Sequence, residues 1–382
     1  LPNENLTMGI IGTATKESEH RAPLYPAHLP YLAPSLRERI FLEIGYGERF
    51  GASDEFLKQH AAGLMSREKL FESCDIVLLP KPTEADFISF RQGQILWGWP
   101  HCVQGEAITQ VGIDKRMTFI AWEAMNLWKG DTSTLHIFHK NNETAGYCSV
   151  LHALQLAGIT GFYGPKKRAA VLSFGSTGRG AVHALRGQGY CGITVFTQRP
   201  PYTVAGQIPI ADHRQFKRAA PDSPEMVVQF YDETVPLAEM LADYDIIVNC
   251  ILQDPDRPVM FIQGEEINRL KPNTLIVDVS CDLQMGFDFA RPTSFENPVF
   301  TVGANILYYA VDHSPSYLWR AATWEISAAL TPYVDVVMGG TETWKTNPTI
   351  CRAIEIQDGV VLNPKVLRFQ NRAQEFPHPK LG

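Results

Sequence analysis

Lys81 and His101 close two apolar runs, "CDIVLLPKP" and "GQILWGWPH", which are separated by "TEADFISFRQ". Strand-length apolar runs bounded by turn signals and joined by a short helix predict parallel strands buried on both faces. Both side chains then emerge at one carboxyl edge, where open α/β sheets place their ligands. A lysine at such a rim is partly desolvated, which lowers its pKa towards a useful acid/base range. A histidine already titrates near neutrality. Such a pair can orient a carbonyl and move a proton while a hydride moves elsewhere. The residues alone leave a second reading open, in which Lys81 is a solvated strand end and His101 packs beside Cys102.

A second constellation is the turn in "AAVLSFGSTGRGAVHAL", with Gly175, Ser176, Thr177, Gly178, Arg179 and Gly180. Its spacing is GxxGxG rather than GxGxxG. Glycine turns open many strand–helix units for steric reasons alone. Here a strand precedes and a helix follows, so the free N–H groups and positive dipole end of that helix face a pyrophosphate. A dinucleotide site of the NAD type places an acid at the end of the next strand, to hold the ribose hydroxyls. The strand "GITVF" ends instead in Thr197, Gln198 and Arg199. An arginine pairs with a 2′-phosphate, and Thr197 and Gln198 can donate hydrogen bonds to it. NADP(H) is therefore favoured and NAD(H) stays open, as does a merely solvated Arg199.

Arg21, in "KESEHRAPLYP", follows the first strand and is suited to clamp a carboxylate, or to pair with Glu17 or Glu19 at the surface. Arg320 lies in "DHSPSYLWR", where it offers a second cation for a substrate with carboxylates at both ends, or an ion pair with Glu325. His136 and His139 have a spacing zinc tolerates, but no further ligand set stands nearby, so no metal is expected.

The elements that position these residues alternate strand and helix. "MGIIGTATK", residues 26–39 and "IFLEIGYG" read as strand, helix and strand, and residues 52–63 as a helix capped by Ser53 and Asp54. Residues 141–159 form a long helical pattern. "KRAAVLSF", "GITVF", "MVVQFY", "YDIIVNCIL" and "NTLIVDVSCD" follow as strands, with "VPLAEMLAD" and "GEEINRL" as helices ahead of the last two. Residues 314–338 read as a second long helix with Ser314 as N-cap and Pro315 at its first position; the remainder reads as short and loop-rich. The expected fold class is α/β, two Rossmann-like doubly wound domains with an inter-domain cleft. The substrate domain takes residues 1–140, the dinucleotide-binding domain 141–319, and the return helix with the rest of the substrate domain 320–382.

With 382 residues the chain is long enough for two domains, and 45% apolar with 20% charged residues is ordinary for a globular protein. A net charge of −7 gives no footprint for nucleic acid or an acidic membrane. Seven scattered cysteines without CxxC spacing argue for reduced thiols and a cytoplasmic setting. The apolar runs are too short for a transmembrane helix, and the first residues lack a signal-peptide pattern. Met8 is a candidate natural start, and the sequons at Asn5 and Asn142 carry little meaning in that setting. The oligomeric state is left open, a homo-oligomer included.

These pieces resemble the alanine dehydrogenase/transhydrogenase superfamily, and within it most the saccharopine dehydrogenase and N5-(carboxyethyl)ornithine synthase branch. "KESEHRAPLYP" is similar to the family's N-terminal arginine motif, "LLPKP" to its lysine strand and "GWPH" to its histidine strand. "NETAGYCSVLHAL" resembles the helix entering the cofactor domain, "IVDVSCD" the strand ending near the nicotinamide, and "VDHSPSYLWRAATWEIS" the saccharopine-type segment. The resemblance implies that Lys81 and His101 are the acid/base pair, Arg21 a substrate carboxylate ligand, and Asp282 a group beside nicotinamide and substrate. Cys250 and Ile251, at the end of "YDIIVNCIL", join the candidate cofactor contacts. "FTQRPP" departs from the acidic strand end of NAD-type members and sits closer to the basic one expected of the NADP-using ornithine synthase.

The expected activity is an NADPH-dependent opine-type dehydrogenase that joins a 2-oxo acid to the amino group of an amino acid, or cleaves the product. The alternative uses ammonia as the amine, as alanine dehydrogenases do. A non-catalytic NADP-binding sensor is disfavoured by having both Lys81 and His101. A transhydrogenase subunit would need a membrane partner of which the sequence carries no sign.

Overall fold

The apolar runs that end in Lys81 and His101 are neighbouring parallel strands, with Leu78 opposite Trp97. The computed structural model describes residues 6–204, 211–221, 223, 225–230, 233–254 and 257–381. Asn5, with its sequon, and Tyr231, the last residue of "MVVQFY", lie outside them. The chain divides into two compact units, one formed by Leu1–His139 with Trp319–Gly382 and the other by Lys140–Leu318.

The first unit is built on strands β1 (Met8–Ile10), β2 (Ile40–Glu43), β3 (Gly63–Met65), β4 (Ile76–Leu78), β5 (Ile95–Gly98) and β6 (Thr118–Ala121). They run parallel in the order β3-β2-β1-β4-β5-β6, a doubly wound arrangement. The alternation of buried faces explains why these strands read as unbroken apolar runs. Ile76, Leu78, Ile95 and Trp97 pack into one core cluster, and Val77, Leu79 and Leu96 into another. A hairpin of β7 (Asn126–Lys129) and β8 (Thr132–His136) follows.

The second unit repeats the scheme. Its strands are β9 (Arg168–Leu172), β10 (Gly192–Thr197), β11 (Ala211–Arg218), β12 (Met226–Phe230), β13 (Glu233–Pro236), β14 (Ile246–Asn249), β15 (Met260–Ile262), β16 (Leu275–Asp278), β17 (Gly286–Phe287), β18 (Val299–Val302) and β19 (Ile306–Tyr309). Parallel strands stand in the order β11-β10-β9-β14-β16-β19, with β12 and β13 antiparallel beyond one edge and β18 beyond the other. Ala169, Val171 and Val195 point into one cluster, and Ala170, Leu172 and Phe196 into the opposite one.

Ser53 caps the helix Asp54–His60 by accepting the N–H of Phe56, as its sequence signal predicts. Three other expectations need correction. Residues 26–39 do not form one helix but a 3₁₀ turn, Pro26–Tyr31, and a single α-turn, Pro34–Arg37. Pro30 and Pro34 each lack the N–H that a continuous helix requires. Residues 314–338 likewise break into Ser314–Leu318, Trp319–Leu330, Thr331–Tyr333 and Val334–Met338, with Pro332 at the second interruption. Ser314 ties this segment to the helix His139–Leu156: its hydroxyl accepts from Ser149 at 2.8 Å and donates to the carbonyl of Ala145 at 3.1 Å. The tail is also more regular than expected. Its strands β20 (Ile354–Gln357) and β21 (Val360–Val361) extend the first sheet, β20 running antiparallel to β6.

Candidate active site

In the first unit, pairing of β4 and β5 continues past their ends: Trp99 donates to the carbonyl of Pro80 at 2.8 Å, just before Lys81 and His101. A Cβ on Gly98 would lie 1.9 Å from the carbonyl oxygen of Leu79, so only glycine permits this approach. Lys81 and His101 thus leave adjacent strands at one edge. Lys81 is half-buried, while His101 is exposed and adopts φ +50°, a left-handed backbone unusual for a residue with a side chain.

A third group, Glu123, joins them from the turn after β6. Its Oε1 accepts the backbone N–H of His101 at 2.7 Å and lies 3.8 Å from the imidazole Nδ1. The carboxyl is pushed up to about 8, first by burial and then by the neighbouring Glu355; N–H bonds from its own turn and from His101, and the Lys81 charge, offset only part of this. Glu123 was not among the residues singled out above. His136 serves this turn rather than a metal: Nε2 lies 3.2 Å from the carbonyl of Glu123, and Nδ1 accepts from the N–H of Phe138 at 3.1 Å.

Arg21 is buried and pairs with Glu19. Nε and Nη2 reach the two Glu19 oxygens at 2.7 and 2.5 Å, and the guanidinium stands 5.1 Å over the ring of Trp99. Trp99 pairs with Pro80, one residue before Lys81 and two before His101, so Arg21 belongs to the same edge. The loop leading to Arg21 is anchored at both ends. Glu43 accepts from the N–H groups of Gly12 and Thr13 at 2.7 and 2.9 Å, and Tyr46 bonds the backbone of Leu24. Arg320 is exposed and donates from Nε to the Tyr25 hydroxyl at 3.1 Å. One turn along its helix, Thr323 accepts the N–H of Ala22 at 3.0 Å, so the two arginines flank one contact.

In the second unit the helix Ser176–Gly187 begins directly after Gly175. Gly178 and Gly180 are forced by packing, since a Cβ would meet the carbonyl oxygens of Ser173 at 2.3 Å and of Glu143 at 1.7 Å. Gly175 has nothing within 4 Å of an added Cβ and is exposed, which leaves backbone there for a ligand to approach. Arg179 stacks over Phe174 at 4.3 Å. Beside this turn lies a pocket of about 310 Å³ lined by Ser173, Phe174, Thr197, Gln198, Arg199, Phe216, Ile251 and Leu252. It sits at the carboxyl ends of β9, β10 and β14, and Leu252 is 94% exposed. These features fit a dinucleotide: open backbone at a helix N-terminus, an apolar wall, and Thr197, Gln198 and Arg199 at the polar side.

Cys250, Ile251 and Asp282 stand on two loops that a buried network joins. Asp278, at the end of β16, accepts from Asn249 at 2.9 Å, from Tyr308 at 2.6 Å and from the N–H groups of Ser280 and Cys281 at 3.1 and 3.3 Å. Asn249 in turn accepts the N–H of Ile251 at 3.1 Å, and the Ser280 hydroxyl donates to the carbonyl of Ile251. Burial pushes the Asp278 carboxyl up to about 6 despite these donors, and burial also raises that of Asp282. Sequence reading missed Asn249, Asp278 and Tyr308.

Among the described residues no cluster of three or more His, Cys, Asp or Glu is placed to hold a metal, all seven cysteines are free thiols, and no helix is long and apolar enough to cross a membrane.

Two doubly wound parallel sheets, one with a glycine turn beside a pocket and one with lysine and histidine at its edge, define an NAD(P)-dependent oxidoreductase. Comparison with known proteins agrees. Residues 11–145 match the description "Alanine dehydrogenase/PNT, N-terminal domain" and residues 203–364 "Alanine dehydrogenase/PNT, C-terminal domain". The chain belongs to the alanine dehydrogenase/PNT family. The N(5)-(carboxyethyl)ornithine synthase of Clostridium botulinum is 26% identical over 330 residues, covering 83% of this chain and 90% of its own. The alanine dehydrogenase of Mycobacterium tuberculosis is 24% identical over 370 residues, covering 93% and 95%. In fold, a solved L-alanine dehydrogenase superposes with a TM-score of 0.76 at 19% identity, over 95% of this chain and 99% of its own.

Proposed function

We propose that the chain is an opine-type dehydrogenase that uses NADPH to join a 2-oxo acid to the amino group of an amino acid, or runs the reverse cleavage. The observation that carries the chemistry is the convergence of Lys81, His101 and Glu123 from three successive strands at one sheet edge. NADPH, when bound, supplies a hydride to the carbon of the imine. Lys81 and His101 carry two protons from the ammonium nitrogen of the amino acid to the carbonyl oxygen, which leaves as water, so that the hydride adds to a protonated imine. Glu123 accepts the N–H of His101 and fixes the turn that aims its imidazole.

Arg21 binds the oxo acid carboxylate. Glu19 accepts from Nε and Nη2, which fixes the orientation of the guanidinium. Arg320, exposed beside it along the helix, suits the carboxylate of an amino acid co-substrate, which ammonia lacks. The family resemblance supports a role for Asp282 with nicotinamide and substrate. Gly175, Ser176, Thr177, Gly178, Arg179 and Gly180 hold the pyrophosphate, with Cys250 and Ile251 along the nicotinamide half of the cofactor. Thr197, Gln198 and Arg199 hold the 2′-phosphate, a reading supported by their place in the pocket.

An alanine-type reaction with ammonia is the second reading, favoured by the longer coverage of the mycobacterial alanine dehydrogenase. A screen of NADPH oxidation across oxo acid and amino acid pairs, with ammonia as the control amine, separates the two. Dependence on an amino acid supports the proposal, and equal rates with ammonia alone oppose it.

A further inference from the structure

Lys81 stands between Pro80 and Pro82, whose rings fix the backbone and which offer no N–H. Its place is therefore set at the nearest groups that can be held. On one side the carbonyl of Pro80 accepts from Trp99 at 2.8 Å. On the other, the N–H of Thr83 donates to Asp86 Oδ2 at 2.8 Å, at the start of the helix Glu84–Phe87.

Asp86 is 2% exposed, and its carboxylate does more than close this turn. Oδ2 also accepts from the Thr15 hydroxyl at 2.8 Å, and the hydroxyls of Thr15 and Thr83 share a bond of 2.6 Å. Oδ1 accepts from Arg67 Nη2 at 2.6 Å. Arg67 Nη1 donates in turn to the carbonyl and hydroxyl oxygens of Thr13 at 2.5 and 2.9 Å. Thr13 and Thr15 open the segment that leads to Arg21. Arg21 and Lys81 are thus joined by two routes. One runs through Trp99, which lies 5.1 Å under the guanidinium and bonds Pro80, and the other through Asp86 with Thr15 and Arg67.

We propose that Asp86 is a positioning residue for Lys81, holding it in place relative to Arg21 through Thr83, Thr15 and Arg67. The inference rests on the reading of Lys81 as an acid/base group.

A buried ion pair contributes little net stability, because desolvation offsets its attraction. Asp86 instead fixes which segments meet, since it accepts from Thr83, from the loop after β1 and from the helix Arg67–Ser73. When Asp86 is lost, the Arg21 side keeps Glu19, Glu43 and Tyr46, whereas Thr83 loses the acceptor of its N–H. Lys81 is then the group that moves. An oxo acid held by Arg21 still binds, so misplacement of Lys81 shows in kcat rather than in KM.

The first measurement needs no substrate. Trace acetylation of the full chain with acetic anhydride over a pH series, read by peptide mass spectrometry, gives each lysine a limiting rate that reports its access to solvent. In Asp86→Asn the half-buried Lys81 should react several-fold faster than in wild type. Lys115, whose Nζ is held by the carbonyls of Phe87 and Phe90 just beyond Asp86, should keep its rate. An unchanged rate at Lys81 overturns the proposal, and so does an equal rise at Lys115, which would confine Asp86 to folding. If Asp86→Asn does not fold, Thr15→Val removes one bond to the carboxylate. It should raise Lys81 labelling by less, and no rise there is equally contrary.

The second measurement is kinetic, on the oxo acid and amine pair that wild type turns over fastest. Asp86→Asn should lower kcat by ~10-fold or more and leave the KM of the oxo acid within about twofold. It should cost nothing further in the Lys81→Met background, and an added loss there overturns the proposal. Failure of the underlying reading shows up separately, as near-normal turnover in Lys81→Met alone.

Discussion

His101 and Glu123 share two contacts through one oxygen: Oε1 accepts the histidine's backbone N–H at 2.7 Å and lies 3.8 Å from its Nδ1. The carboxyl therefore holds the turn in place and also feels the charge on the ring.

Because Glu123 is pushed up to about 8, the native protein keeps a proton that the unfolded chain releases near 4.5. The sign follows directly: stability from this group is full below about pH 4.5 and falls as pH rises towards 8. Glu123→Gln should show a smaller drop in melting temperature than wild type between about pH 5 and about pH 8. An equal drop in both proteins would contradict the burial-driven shift.

Lys81→Met and His101→Gln should each lower turnover by ~10²–10⁴-fold while leaving NADPH binding and melting temperature near wild type. His101 is exposed and Lys81 half-buried, so neither fills a core that its loss would empty. Steady-state kinetics beside a thermal melt checks this, and near-normal turnover in either variant removes that residue from the chemistry.

Arg199→Ala should raise the Michaelis constant for NADPH by ~10-fold or more and leave that for NADH little changed, as expected when one charged hydrogen bond to phosphate is lost. A wild-type enzyme that already prefers NADH would refute the assignment.

Tyr308→Phe deletes a 2.6 Å bond to Asp278 within a fully buried network. It should reduce stability by about 1–3 kcal/mol in urea unfolding. It should also weaken NADPH binding, since Asp278 and Asn249 hold the loops that carry Ile251 and Asp282. Unchanged binding with lowered stability would confine the network to folding.

Local signals made much of this legible. Lys81, His101 and the glycine turn each end or follow a short apolar run, so sequence alone predicts them at sheet edges. Glu123 gave no such signal, being a lone acid in "AWEAM" whose role depends on β5 and β6 being neighbours. Glu355 was further out of reach, because β20 pairs with a strand more than 200 residues away. The broken helices were misread from apolar spacing that outweighed Pro30, Pro34 and Pro332. Arg21 stands out in the sequence as a cation after the first strand, but its burial against Glu19 and Trp99 depends on a loop anchored by Glu43 and Tyr46.

The central claim is that the amine is an amino acid and the product a secondary amine. Mass spectrometry of the products formed from NADPH, a 2-oxo acid and an amino acid, with ammonia alone in a parallel reaction, tests it most directly. The account predicts a product whose mass is that of both acids joined with loss of water and gain of two hydrogens. Full-rate reduction with ammonia, and no amino acid incorporated, would contradict it and leave the alanine-type reaction standing.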